Sequence, residues 1–140
     1  TNAMENMKQK GARFKAGAVD LWMDCGNKNA MVDTNTKVLS FIGKGEGLVD
    51  SSVKLTNSII IPPCYIGKEV VLENAIVGPN VSIENGSRVT GSVVRNSIVR
   101  SDANITDAVI DNSMLGERSS VRGHAMDLSI GADCTVDQHP

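Results

Sequence analysis

From Val49 to Val121 the chain returns to an aliphatic residue every five or six positions, in steps of 6-5-6, 6-5-6, 6-5-5 and 6-5-5. A self-similar period of this kind marks a solenoid, in which each repeat buries its apolar side only by stacking on its neighbours. Three units close one coil of 16 or 17 residues. The spacing therefore predicts three inward columns. Val49, Ile66, Ile83, Val99 and Leu115 form one; Leu55, Leu72, Val89, Ile105 and Val121 the second; Ile60, Val77, Val94 and Ile110 the third. Parallel strands stack about 4.8 Å apart, so the columns make the spine of a three-sided prism.

Four places after each column residue stands another small or aliphatic side chain. The series is Val53, Ile59, Cys64, Val70, Ile76, Val81, Ser87, Val93, Ile98, Ala103, Val109 and Met114. This position is expected to be the second inward site of every unit. The five-residue units carry Asn57, Asn74, Gly91, Asn96, Asp107 and Asn112 two places after the column residue. These residue types tolerate the positive φ of a tight corner. Gly67, Gly78, Gly116 and Gly131 are expected to ease other corners. The stretch from Arg122 to Ser129 breaks the step before the pattern resumes at Ile130, so an irregular last coil with a bulged loop is expected.

Composition narrows the function classes. The formal net charge is -2, with acidic and basic residues interspersed, which gives no basic footprint for nucleic acid or a membrane surface. No apolar run approaches the roughly 20 residues of a membrane span, and no signal-peptide pattern opens the chain. Three cysteines without C-x-x-C spacing argue against a disulfide framework, and a cytoplasmic location is expected. Cys64 and Cys134 fall on the second inward site, where a cysteine packs as a small hydrophobe. Aromatics make up only 3% of the chain, which suits a narrow interior.

Residues 1–44 lie outside the repeat. Thr1 reads as the N-cap of a short helix carrying Met4, Met7 and Lys8 and ending before Gly11. Phe14 to Met23 reads as extended. A second helix is expected from about Asn29 to Ile42, with apolar residues at 30, 31, 38, 39, 41 and 42. Residues 45–48 are the linker and 49–137 the repeat domain. Trp22, the only tryptophan, reads as a packing residue of a core or an interdomain contact.

Units such as IGKEV from Ile66 and LGERS from Leu115 resemble the hexapeptide-repeat family, whose coils wind left-handed. Further, WMDCG at Trp22–Gly26, followed by a helix and then the repeats, resembles sugar-1-phosphate nucleotidyltransferases of the glucose-1-phosphate thymidylyltransferase-like kind. The resemblance implies a mainly β fold: a left-handed parallel β-helix of about five coils, preceded by a small α/β segment that is the tail of a catalytic domain. In that family a W-x-D-x-G-T segment closes the catalytic domain, and its aspartate is a metal ligand; Asp24 matches it, and Asn27 stands where the family has Thr. The resemblance also implies a nucleoside triphosphate and a sugar 1-phosphate as substrates, Mg²⁺ as cofactor, the chain's own catalytic domain as a partner, and a homo-oligomer. Carboxylates suit Mg²⁺, which takes hard oxygen ligands and offsets the charge gathered in phosphoryl chemistry. The family's other aspartate and its G-x-G-x-R-L phosphate loop do not occur in these 140 residues. No nucleotidyl transfer is expected of this chain alone.

Two other readings compete. A free-standing hexapeptide acyltransferase using acetyl-coenzyme A would need a general base. His124, in the one loop that interrupts the repeat, is its candidate, although no partner carboxylate stands at a telling spacing. A purely structural assembly module would need no site at all. Arg88, Arg95, Arg100, Arg118 and Arg122 alternate with acids and read as a solvated face. Ile61, Pro62, Pro63, Tyr65 and Val71 are expected to form an outward cluster that packs on the catalytic domain or on another copy.

Overall fold

A computed structural model describes residues 2–42, 48–123 and 128–137. Helix α1 spans Asn2–Gln9 and helix α2 spans Lys28–Ile42. No helix or strand lies between them, and the described residues from 48 on form a three-sided parallel β-solenoid of about five turns, consistent with the expected left-handed β-helix. Thr1, residues 43–47 and residues 124–127, and with them the expected N-cap, most of the linker and the bulged loop, lie outside the described residues.

The first face stacks Lys54–Thr56, Val71–Glu73, Arg88–Thr90, Asn104–Thr106, Ser120–Arg122 and Thr135–Asp137. The second stacks Ile59–Ile60, Ile76–Val77, Val93–Arg95 and Val109–Asp111. The third stacks Cys64–Ile66, Val81–Ile83, Ile98–Val99, Met114–Leu115 and Ser129–Ile130. All pairs are parallel and in the register that the spacing predicts. Leu72 pairs with Val89, Val77 with Val94, and Ile83 with Val99. Ile66, Leu72, Val77, Ile83, Val89, Val94, Val99, Ile105, Ile110, Leu115 and Val121 are buried. Burying one such side chain contributes about 1.5–3 kcal/mol.

The second inward site depends on the length of the step. In six-residue units it is the fourth place after the column residue: Cys64, Val70, Val81, Ser87, Ala103 and Ser119 are buried there. In five-residue units that place immediately precedes the next inward aliphatic. Side chains alternate along a strand, so it points outward. Ile59, Ile76 and Val109 are accordingly exposed, and Val93, Ile98 and Met114 half-buried. The inward residue comes one place earlier, where Ala75, Ser92, Ser97, Ala108 and Ser113 are buried.

Small residues are required there because a five-residue unit leaves little room inside its corner, and serine satisfies the backbone as well. Ser97 Oγ donates to Arg95 O at 2.6 Å and accepts from Ser113 N of the next coil at 3.1 Å. Ser92 repeats the arrangement with Thr90 O and Ala108 N. Ser87 accepts from Ala103 N and donates to Arg100 O. Each hydroxyl thus ties a turn to the coil above it.

The corners expected in the five-residue units all have positive φ, including Asn57 at 46°, Asn74 at 51° and Asp107 at 53°. From Ile66 on, six-residue units place theirs three places after the column residue: Glu69, Asn80, Gly86, Asp102, Arg118 and Asp133. Asparagine amides chain these corners together, with Asn57 Nδ2 donating to Asn74 Oδ1 at 2.8 Å and Asn80 Nδ2 to Asn96 Oδ1 at 3.0 Å. Gly116 serves close approach and not a turn, since a Cβ there would lie 2.1 Å from the Gly131 carbonyl carbon.

The expected outward cluster does not form one patch. Ile61 follows a second-face strand, Tyr65 lies on the third face beside Ser82, and Val71 on the first between Lys54 and Arg88. The arginines do pair outward with acids: Arg88 with Glu73, Arg95 with Asp111, Arg100 with Glu84, and Arg118 with Glu117 and Asp133. These half-exposed pairs contribute little each. Hydrogen bonds from Asn96 and Arg95 hold the Asp111 carboxyl below the ordinary range. Cys134 is exposed, against expectation, because no further described coil stacks above it. At the other end Val49 and Leu55 are exposed too. The described part of residues 1–44 therefore does not cap the first coil.

Ser97→Ala should cost about 1–3 kcal/mol, because the buried Ser113 amide loses its acceptor. Among the described residues Ser119 Oγ is buried without a hydrogen-bond partner, so Ser119→Ala should leave stability unchanged or raise it. Urea unfolding of both variants checks the contrast.

Candidate functional site

The segment around Asp24 has no helix or strand, and three contacts give it shape. Gly26 N donates to Asp24 Oδ1 at 2.9 Å, closing a turn around the carboxylate. A Cβ on Gly26 would lie 3.2 Å from that oxygen, so the turn favours glycine. Thr34 Oγ1, from the second turn of α2, donates to Asp24 O at 2.8 Å. Asn27 Oδ1 accepts from Ala30 N at 3.0 Å and caps α2.

The cap is the functional residue that sequence reasoning missed. Asn and Thr are both good N-caps, so Asn27 performs locally what a threonine would. The signal was present in the sequence: an Asn directly before the first residue of a helix.

Helix α2 lies along the side of the solenoid. Its buried residues are Val32 and Leu39, two turns apart, and not the apolar positions expected at 41 and 42; Phe41 and Ile42 are exposed. Ser82 Oγ donates to Asn35 Oδ1 at 2.6 Å, and Lys28 Nζ donates to Asn112 O at 2.7 Å. Ser82 belongs to the second coil and Asn112 to the fourth, so α2 runs against the direction in which the coils stack. Its 15 residues span about 22 Å and four coils about 19 Å, so the lengths match. The helix is a splint. It holds the Asp24 turn beyond Lys28, at the level of the fourth coil or past it.

Asp24 is exposed, and its Oδ2 takes no hydrogen bond from the described residues. It can supply one oxygen ligand to a cation. Among the described residues no group of three or more His, Cys, Asp or Glu is placed to hold a metal ion. These residues therefore fit one ligand of a Mg²⁺ site and not a complete site. The candidate general base His124, like His139, lies outside the described residues. Cys25 is exposed, whereas Cys64 is buried, its thiol pushed up by desolvation and donating to Ile61 O at 3.1 Å. Cys64 packs in the core as expected.

The apolar side chains before Gly26 have no core of their own. No residue of α1 is buried, and Met4, Met7, Phe14, Val19 and Leu21 are exposed. Trp22 is 78% exposed, so it is no core residue of this chain. No helix among the described residues is long and apolar enough to cross a membrane.

The chain is 28% identical over 136 residues to a glucose-1-phosphate thymidylyltransferase from Streptomyces antibioticus, a match covering 86% of this chain and 38% of that protein. A glucose-1-phosphate adenylyltransferase from Bacillus cytotoxicus is 50% identical over 38 residues, 27% of this chain and 10% of that protein. No family model matches. The chain thus spans well under half the length of these relatives, and the similarity points to sugar-1-phosphate nucleotidyltransferases at low identity.

Asn27→Ala should remove about 1 kcal/mol and speed hydrogen exchange at the Ala30 and Met31 amides, whereas Asn27→Thr should leave both unchanged. Urea unfolding and amide exchange read the two effects.

Proposed function

We propose that this chain is the C-terminal portion of a sugar-1-phosphate nucleotidyltransferase. The intact enzyme would join a nucleoside triphosphate to a hexose 1-phosphate, giving the nucleotide sugar and pyrophosphate. The β-helix would serve assembly or regulation, and the enzyme would work in the cytoplasm. The observation that carries this reading is the state of the segment before α2. Six large apolar side chains, from Met4 to Trp22, stand exposed on a segment whose end is fastened to a rigid solenoid. Large apolar side chains left exposed together along one segment point to one half of an interface. The 28% match covers only 38% of a much longer relative, which leaves room for a catalytic domain to supply the other half.

In this reading Asp24 contributes one carboxylate oxygen to the Mg²⁺ that the reaction requires. Its turn is set by Gly26 and Thr34, so the carboxylate is oriented before the substrates arrive. The remaining ligand and the loop that cradles the phosphates would come from the rest of the enzyme. Nothing in the described residues favours the acyltransferase reading.

The experiment is to express the complete reading frame that contains this chain and assay pyrophosphate release from each nucleoside triphosphate with hexose 1-phosphates. One pair should react in a Mg²⁺-dependent way, and Asp24→Asn should lower kcat/KM by about a hundredfold or more. Absence of release with every pair would overturn the reading; full activity in Asp24→Asn would remove the aspartate from the site.

A further inference from the structure

The third face, against which α2 packs, carries the outward column Tyr65, Ser82, Ile98, Met114 and Ser129. From this column Ser82 Oγ donates to Asn35 Oδ1 at 2.6 Å, and Asn35 Nδ2 donates to Asn80 O at 3.4 Å. One short side chain of the helix thus holds two groups of the second coil. Lys28, Val32, Asn35 and Leu39 follow one another at steps of four, three and four, so they line a single stripe of α2. Val32 and Leu39 are buried, but apolar contact is non-directional and would let the helix slide along the coils. Lys28 reaches Asn112 O only at the end of a flexible four-carbon stem. The register of α2 on the solenoid is therefore set at Asn35.

Thr34 is the neighbouring residue, about 100° round the helix from Asn35 and on the side away from the stripe. Its Oγ1 donates to Asp24 O at 2.8 Å. The two contacts stand back to back on one rigid turn of helix, so what fixes Asn35 also fixes the hydroxyl that holds Asp24. We propose that Ser82 is a positioning residue for the Asp24 carboxylate, acting through Asn35 and Thr34 from outside the candidate site. The link itself rests on these contacts; the loss of catalysis expected when it is cut rests on the nucleotidyltransferase reading.

Displacing a reacting or ligating group by about 1 Å costs on the order of a hundredfold in rate. Ser82 acts at one remove and through one hydrogen bond, so an effect of about tenfold is expected of its loss.

Two measurements test the link and its consequence. In the 140-residue chain the ¹⁵N order parameter of the Gly26 amide should fall from about 0.85 to below about 0.6 in Ser82→Ala, while the amides of the solenoid strands keep theirs. In the complete protein Ser82→Ala should lower kcat/KM about tenfold and raise the Mg²⁺ concentration that gives half the maximal rate. Ser82→Thr keeps the hydroxyl and should restore both. Ser129→Ala, in the same column three coils on, should change neither. Thr34→Val should match Ser82→Ala, and the double variant should lose nothing further, because the two residues act in series. An unmoved order parameter, full activity in Ser82→Ala, or losses that multiply in the double variant would each overturn the proposal. A complete protein that releases no pyrophosphate would overturn the enzymatic reading, and the order parameter would then decide the link by itself.

Discussion

Everything in this molecule depends on one coil lying in register on the next. Each strand has only two or three residues, too few to persist alone, and draws its hydrogen bonds from the coils above and below. Lys54 N bonds Val70 O, Val71 N bonds Ser87 O, and Arg88 N bonds Ala103 O, so one ladder climbs the prism. The ladder stays in register because the aliphatic columns give each coil one way to sit. Corner asparagines and buried serines add a second set of ties between the same coils. A one-residue slip would turn every column outward, which is why steps of five and six can alternate without ambiguity.

The rigidity that results is what the N-terminal segment uses. A turn carrying Asp24 has little to hold it in water, and most of its apolar neighbours are exposed. It is ordered from one side only. Thr34 and the Asn27 cap join it to α2, and Asn35 and Lys28 join α2 to coils two and four. The solenoid thereby acts as a ruler that sets how far Asp24 stands from the first coil. An enzyme that needs a carboxylate in a fixed place gains from such a splint, since a loop alone would have to be ordered on every turnover.

Much of this was legible in the sequence. The three columns and the positive-φ corners follow from spacing and residue type, because a parallel stack with a short repeat permits little else. Counting a five-residue step like a six-residue one places Ile59, Ile76 and Val109 inside, where the structure has them outside. Strand alternation alone corrects that, since each directly precedes an inward aliphatic. Tyr65, Val71 and Ile61 are near in sequence but turn different corners, and only the closed prism shows that they part. Cys134 has the inward register but no described coil above it; exposure at an end is a property of the stack and not of the repeat. Asp24 was visible as part of a motif, and the geometry adds its anchoring without adding a second ligand.

If the exposed segment around Trp22 is one side of a contact with a catalytic domain, its indole should leave water when that domain is present. Trp22 is the only tryptophan of the chain, so fluorotryptophan labelling gives a single ¹⁹F resonance. The decisive measurement is that resonance before and after unlabelled protein from the upstream part of the same reading frame is added. A saturable shift is expected. A resonance that stays unmoved at saturating concentrations of the added protein would contradict the contact.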